Sequence, residues 1–271
     1  MGAWPGLGVP SSSADLNATL NYLDPRRYAR WAGELIEFWT ARRAPKGFVA
    51  LSTTHGVRYV PLPPLVWSTK SHEWWVFLGA LLHRLRPRSL LELGSGRSTI
   101  YLSEYACKNG RPVVSVDEDA NWMAVNRLIT RMGGVQGDVV HHLPLADDGF
   151  YDTAMLERLV VERPDFIYLD GPIRDRSGLM KHDFTLDLCR GANVIVVDDI
   201  QWRHIFDQMV ALQDLGVHRE RTFIEYFIPE DTVRCLCVLT RRDLQPMVDE
   251  LVQCLGIATL DDFPRARCIR D

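Results

Sequence analysis

From Ser89 to Val197 the chain repeats one unit: a short, almost continuously apolar run, then a segment with helical spacing. The runs are Ser89–Leu93, Pro112–Val116, Val139–Leu143, Phe166–Leu169 and Val194–Val197. Strands this uniformly apolar are covered on both faces, and helices between them build a doubly wound α/β sheet with parallel strands. Helices fit the gaps at Ser98–Lys108, Asn121–Met132, Tyr151–Val161, Leu179–Arg190 and Trp202–Leu215. Gly110, Gly133, Gly191 and Gly216 stand where four of them should end. The rhythm then changes. Arg221–Ile228 and Thr232–Thr240 are strand-like but joined only by Pro229-Glu230-Asp231, too short for a crossover helix. They predict a hairpin, so the sheet must contain an antiparallel strand.

Ahead of these units, Asp24-Pro25 opens a helix whose Tyr28, Trp31, Leu35, Phe38 and Trp39 recur at three-to-four spacing. Residues Gly47 to Ser68, with Pro61, Pro63 and Pro64, suit an extended connector. Ser71 can cap a second helix that carries Trp74, Trp75, Phe77, Leu78, Leu81, Leu82 and Leu85 and stops at Pro87. The expected organisation is a helical N-terminal extension over residues 1–87 and a Rossmann-like domain over 88–271, with a last helix in Arg241–Leu255.

Charge and composition narrow the function. Lys+Arg 31 against Asp+Glu 35 leaves a net charge of −4, with no cationic excess for nucleic acid phosphates. Cys107, Cys189, Cys235, Cys237, Cys254 and Cys268 form no C-x-x-C pair and read as reduced thiols of a cytoplasmic protein. Met1 to Ser13 lacks the basic start and apolar run of an export signal, and no stretch reaches the roughly 18 to 20 apolar residues of a membrane span. A small molecule or sugar is therefore the expected partner, with no nucleic acid and no membrane; a homo-oligomer is compatible with the sequence.

The chemistry gathers where strands end. Glu92 lies in the first strand and is followed by Gly94-Ser95-Gly96, which lets the backbone turn sharply and a ligand approach before the next helix. Val116-Asp117-Glu118 ends the second strand, about 20 residues beyond the turn, where an acidic group can accept ribose hydroxyls. Asp117 is the first choice and Glu118 the second. A nicotinamide dinucleotide would use a similar pair. Against it stand Ser98 in the place of a third glycine, the Glu before the turn, and the closing hairpin.

On Leu91-Glu92-Leu93-Gly94-Ser95-Gly96-Arg97-Ser98-Thr99, Val114-Ser115-Val116-Asp117, Tyr168-Leu169-Asp170-Gly171-Pro172 and Val196-Val197-Asp198-Asp199, the chain resembles the class I S-adenosylmethionine-dependent methyltransferases. The likeness spans about Ser89 to Thr240. It implies a seven-stranded, mostly parallel sheet with an antiparallel last strand, and S-adenosylmethionine as cofactor. It also implies that Glu92, Gly94, Ser95, Gly96 and Ser98 line the methionine end and that Asp117, with Glu118, meets the ribose.

Asp170 follows the fourth strand, and Asp198-Asp199 the fifth, at the edge where such folds bind ligands. Like charges gathered there need a cation or a shared proton. All-oxygen ligation would suit magnesium or another hard divalent ion. The arrangement is similar to that of catechol-type O-methyltransferases, which implies Asp170, Asp198 and Asp199 as metal ligands, with Asp199 where those enzymes carry an amide. Asp170 or Asp198 could instead act as a general base without metal, and Asp199 could simply cap the next helix. His182, in the charged segment after Asp170, is a second candidate base. The expected activity is O-methylation of a small molecule or sugar. N-methylation and a non-catalytic cofactor-binding role remain the alternatives.

Overall fold

Gly47 to Ser68, expected as a connector, contains a two-stranded sheet of β1 (Phe48–Thr53) and β2 (Gly56–Pro61). Runs rich in Val, Phe, Leu and Tyr on either side of a Gly favour pairing over a bare extended link. The structure is a computed structural model, and it describes residues 48–53, 56–61, 69–120, 123, 126–127, 130, 137–172, 183–213, 219–228, 232–257 and 259–260. The helix expected after Asp24-Pro25 lies outside them.

β3 (Leu90–Leu93) sits at the centre of the main sheet. It pairs in parallel with β4 (Val113–Asp117) on one side and β6 (Phe166–Leu169) on the other. β5 (Val140–His142) lies beyond β4, and β7 (Val194–Val197) beyond β6. Of the hairpin strands β8 (Arg219–Ile228) and β9 (Thr232–Arg241), it is β9 that slots antiparallel beside β7. The order is β5-β4-β3-β6-β7-β9-β8, with a two-residue strand, β10 (Thr259–Leu260), outside β8. This is the seven-stranded, mostly parallel sheet with an antiparallel last strand that the sequence predicts, with one short addition.

Successive strand residues point to opposite faces, so each face gathers its own core. Leu91, Leu93, Ile167, Leu169, Ile195 and Val197 meet Leu156, Leu188, Met209 and Leu212. The latter come from the helices Thr153–Leu159, Asp183–Gly191 and Arg203–Gln213. Leu90, Phe166, Tyr168, Val194 and Val196 meet the opposite set, which includes Trp74, Phe77, Leu78, Leu102 and Val248. Those side chains lie on the helices Thr69–Leu85, Arg97–Asn109 and Gln245–Leu255. Trp74 stacks on Phe77 at 5.6 Å and lies 6.4 Å from the Tyr168 ring, so it is core and no platform for a ligand. At the amino edge the Asp165 carboxylate accepts the backbone N–H groups of Arg88, at 2.9 Å, and Ser89, at 3.1 Å, which latches the start of β3 to that of β6.

No helix among the described residues is long and apolar enough to cross a membrane. Cys189, Cys235 and Cys237 are buried, while Cys107 and Cys254 are exposed.

The register decides what meets at the carboxyl edge. Leu93 pairs with Val116 and Leu169, and Leu169 with Val197, so Gly94, Asp117, Asp170 and Asp198 emerge side by side from adjacent strands. The chain order reverses between β3 and β6, which opens a crevice of the kind where open α/β sheets bind ligands. Gly94 turns there at φ +88°, and a Cβ on it would lie 2.6 Å from the Asp170 carbonyl carbon. A Cβ on Gly171 would lie 2.9 Å from the Gly94 Cα. Neither place admits a side chain.

Gly94→Ala should therefore destabilise the protein by about 2–4 kcal/mol, through positive-φ strain and overpacking together. Gly79, a helical position with nothing within 4 Å of its Cβ direction, is the contrast. Gly79→Ala should gain roughly 0.5–1 kcal/mol. Urea unfolding of both variants checks the pair, and equal effects would contradict the close approach at Gly94.

Candidate functional site

Glu92 is the one charged residue in β3 and is fully buried. Such burial requires partners. Thr99 Oγ1 donates to Glu92 Oε2 at 2.6 Å, and Ser115 Oγ donates to the same oxygen from the paired position on β4. Ser98, buried at the start of the next helix, adds a further hydroxyl. The Gly96 N–H in turn donates to Thr99 Oγ1 at 2.8 Å, so the glycine turn and the carboxylate form one network. Glu92 Oε1, by contrast, is buried with no hydrogen-bond partner among the described residues. Burial pushes the Glu92 carboxyl up to about 7, opposed by the Ser115, Ser98 and Thr99 hydroxyls and supported by the charge of Asp117. Above Gly96, among the described residues, a Cβ would have only Ser98 Oγ nearby, at 4.0 Å.

Asp117 is buried and largely spoken for within the chain. Its Oδ2 accepts from Ser95 N at 2.8 Å and from Ser95 Oγ at 2.7 Å, and its Oδ1 accepts from Asp119 N at 2.9 Å. Asn126 Nδ2 donates to Ser95 Oγ at 2.8 Å and fixes that hydroxyl's direction. Burial raises the Asp117 carboxyl against these donors. Glu118 is half-buried and accepts one side-chain hydrogen bond, from Tyr151 OH at 3.0 Å. It therefore keeps more acceptor capacity than Asp117. The Tyr151 phenol is fully buried, and burial together with the Glu118 charge pushes its ionisation well above the ordinary range.

The three edge aspartates are each balanced differently. Asp198 Oδ2 accepts from Tyr168 OH at 2.8 Å, and its Oδ1 from the Asp199 N–H at 2.7 Å. Asp199, at φ +56°, receives Gln201 Nε2 at 2.8 Å and a single Arg234 nitrogen, Nη1, shared at 2.7 Å between its two oxygens. The half-buried Asp170 has its carboxyl raised well above the usual range by burial and then by the charges of Asp198 and Asp199, with Arg234 opposing. The three-carboxylate cation centre expected from the sequence finds no support in the placement of these side chains. Among the described residues no group of three His, Cys, Asp or Glu is placed to hold a metal ion. The physical reason is that Asp199 is ion-paired to Arg234 and both Asp198 oxygens accept protein donors.

Beside these carboxylates lies a small pocket. Phe150, Leu169, Val197, Ile205 and Leu212 wall it, with Asp170 and Asp198 at its polar side. His182 lies outside the described residues. His141 and His142 are neighbours on β5; His142 Nε2 lies 3.1 Å from the Glu118 carbonyl oxygen, and burial lowers His141. Ser115 could have been found in the sequence as the polar interruption of an apolar strand. Arg234 stands at the mouth of the hairpin strand, and Tyr151 follows a tight loop; neither has a local pattern that marks it.

No family model matches the chain, and no curated protein matches it. Among solved structures it is similar to an O-methyltransferase from Bacillus cereus in complex with SAH, at 18% identity and a TM-score of 0.49, over 77% of this chain and 90% of that one. It is similar to the O-methyltransferase TomG from Streptomyces achromogenes, in complex with SAM, at 18% identity and a TM-score of 0.45, over 66% and 83%. The METTL16 methyltransferase domain aligns at 16% identity and a TM-score of 0.45, over 66% and 70%. With likeness this distant, the chemistry has to be argued from the residues of the site.

The raised Glu92 carboxyl fixes a pH signature. An unfolded chain holds that proton to about 4.5 and the folded one to about 7, so folding takes up a proton between these values and stability falls as pH rises through them. Glu92→Gln does not titrate. It should exceed the wild type by about 3 kcal/mol at pH 8, a difference that fades toward pH 4. Urea midpoints across pH test this, and a constant difference would refute the buried titration.

Proposed function

We propose that the protein is an S-adenosylmethionine-dependent methyltransferase that methylates a hydroxyl of a small molecule. The observation that carries this reading is the orphaned Glu92 Oε1, buried beneath a glycine turn where, among the described residues, a Cβ on Gly96 would have only Ser98 Oγ nearby. An unpaired buried acceptor of this kind suits a cationic donor such as the ammonium of the cofactor's methionine part. The turn Gly94-Ser95-Gly96 would hold the methionine end. Asp117 shapes that turn through Ser95, and Glu118 has the acceptor capacity for ribose hydroxyls.

S-adenosylmethionine, when bound, supplies a methyl group made electrophilic by its sulfonium. The chain contributes position and proton control, since in-line approach of the acceptor accounts for much of the rate in such transfers. The apolar walls of the pocket suit the body of a small organic acceptor. Asp170 is the residue to take the hydroxyl proton: burial, and then neighbouring negative charge, makes its carboxylate a stronger base than an ordinary aspartate. The same shift means that activity should rise with pH as Asp170 loses its proton.

Asp170→Asn should lower kcat by about 100-fold or more while cofactor affinity stays within about threefold. Glu92→Gln should weaken cofactor binding by at least roughly tenfold, the worth of a charged hydrogen bond. Calorimetry with S-adenosylhomocysteine and turnover assays on hydroxylated acceptors read these effects. Full kcat in Asp170→Asn would remove it as the base, and unchanged affinity in Glu92→Gln would remove the cofactor assignment.

A further inference from the structure

We propose that the Arg234 guanidinium holds the place at the acidic edge that a divalent cation would take, so that the protein engages its acceptor without a metal ion. The inference rests on reading the carboxyl edge as the acceptor site. Three aspartates that emerge together need positive charge, a proton or donors to remain there. Arg234 provides the fixed charge: Nη1 lies 2.7 Å from both Asp199 oxygens, and the Asp199 side chain is only 8% exposed. One guanidinium nitrogen shared between both oxygens puts the positive charge directly over the carboxylate.

The surrounding contacts hold this pair in place. Gln201 Nε2 donates to Asp199 Oδ1 at 2.8 Å while Gln201 Oε1 accepts the Cys235 N–H at 3.1 Å, so one side chain ties Asp199 to the residue after Arg234. The Ile200 N–H donates to the Cys235 carbonyl at 3.0 Å, which docks the Asp198-Asp199 turn on β9. Asp199 is held at φ +56°, a conformation that a residue other than glycine keeps only under constraint. Asp198 is committed to the Tyr168 hydroxyl and the Asp199 amide. A divalent ion at Asp199 would sit against a guanidinium at the same oxygens, and like charges that close repel.

The test is Mn2+ binding followed by electron paramagnetic resonance on the full chain, with Mg2+ competition, in wild type, Arg234→Met and Arg234→Gln. Wild type should show no saturable site tighter than about 1 mM, the weak end of protein cation sites. Both variants should gain a site at least roughly tenfold tighter, since removal of one adjacent unit charge is worth at least that much. Asp199→Asn combined with Arg234→Met should abolish it. Submillimolar binding in wild type that Asp199→Asn removes would overturn the proposal, as would a folded Arg234 variant that binds no better than wild type. If circular dichroism shows both variants unfolded, the wild-type titration alone decides. Cofactor binding is measured separately by calorimetry: its failure beside a gained Mn2+ site would reject the methyltransferase reading and leave the role of Arg234 intact.

Discussion

At Gly94 the chain leaves its central strand in contact with the backbone of Asp170 and Gly171, and everything at the carboxyl edge depends on that contact. The two strands diverge there in chain order, and a crevice opens only because neither backbone carries a side chain at the crossing. The parallel register then brings Asp117 up on one side of Gly94 and Asp170 and Asp198 on the other. A shift of register by one residue would exchange the two buried faces and bring a different set of side chains to that edge.

Two acidic centres share this edge but are built for different tasks. Glu92 is enclosed by hydroxyls and keeps one oxygen without a partner, so its proton is loosely matched to its surroundings and responds to an arriving cation. The aspartate group is crowded instead. Each carboxyl is balanced differently: Asp198 by a phenol and an amide, Asp199 by a guanidinium, while burial and its neighbours raise the Asp170 carboxyl. The proposed roles follow this difference, cofactor binding at Glu92 and proton removal at the aspartates.

Much of this was visible in the sequence because it rests on local pattern. The apolar runs mark β3, β4, β5, β6 and β7 to within a residue or two, since strands covered on both faces leave little choice of residue. The linker Pro229-Glu230-Asp231 was too short for anything but a hairpin, and its strands are those observed. The β1 and β2 pair was missed because three prolines masked two short strand-like runs beside them. The metal reading lacks support for a different reason. Carboxylates at strand ends can be counted in a sequence, but their neutralising partner, Arg234, comes from across a hairpin and is brought in by pairing of β9 with β7. Tyr151 is similar, since its contact with Glu118 depends on how the loop after β5 folds back.

The Asp165 latch on Arg88 and Ser89 lies at the opposite end of the strands from all of this chemistry. The architecture thereby divides its obligations between two margins, one that secures the strands and one that meets ligands. Loops on the second margin are free to lengthen or change composition, and with them the molecules that are accepted, while the anchoring at the first remains as it is. A scaffold arranged in this way can acquire new acceptors without having to learn to fold again.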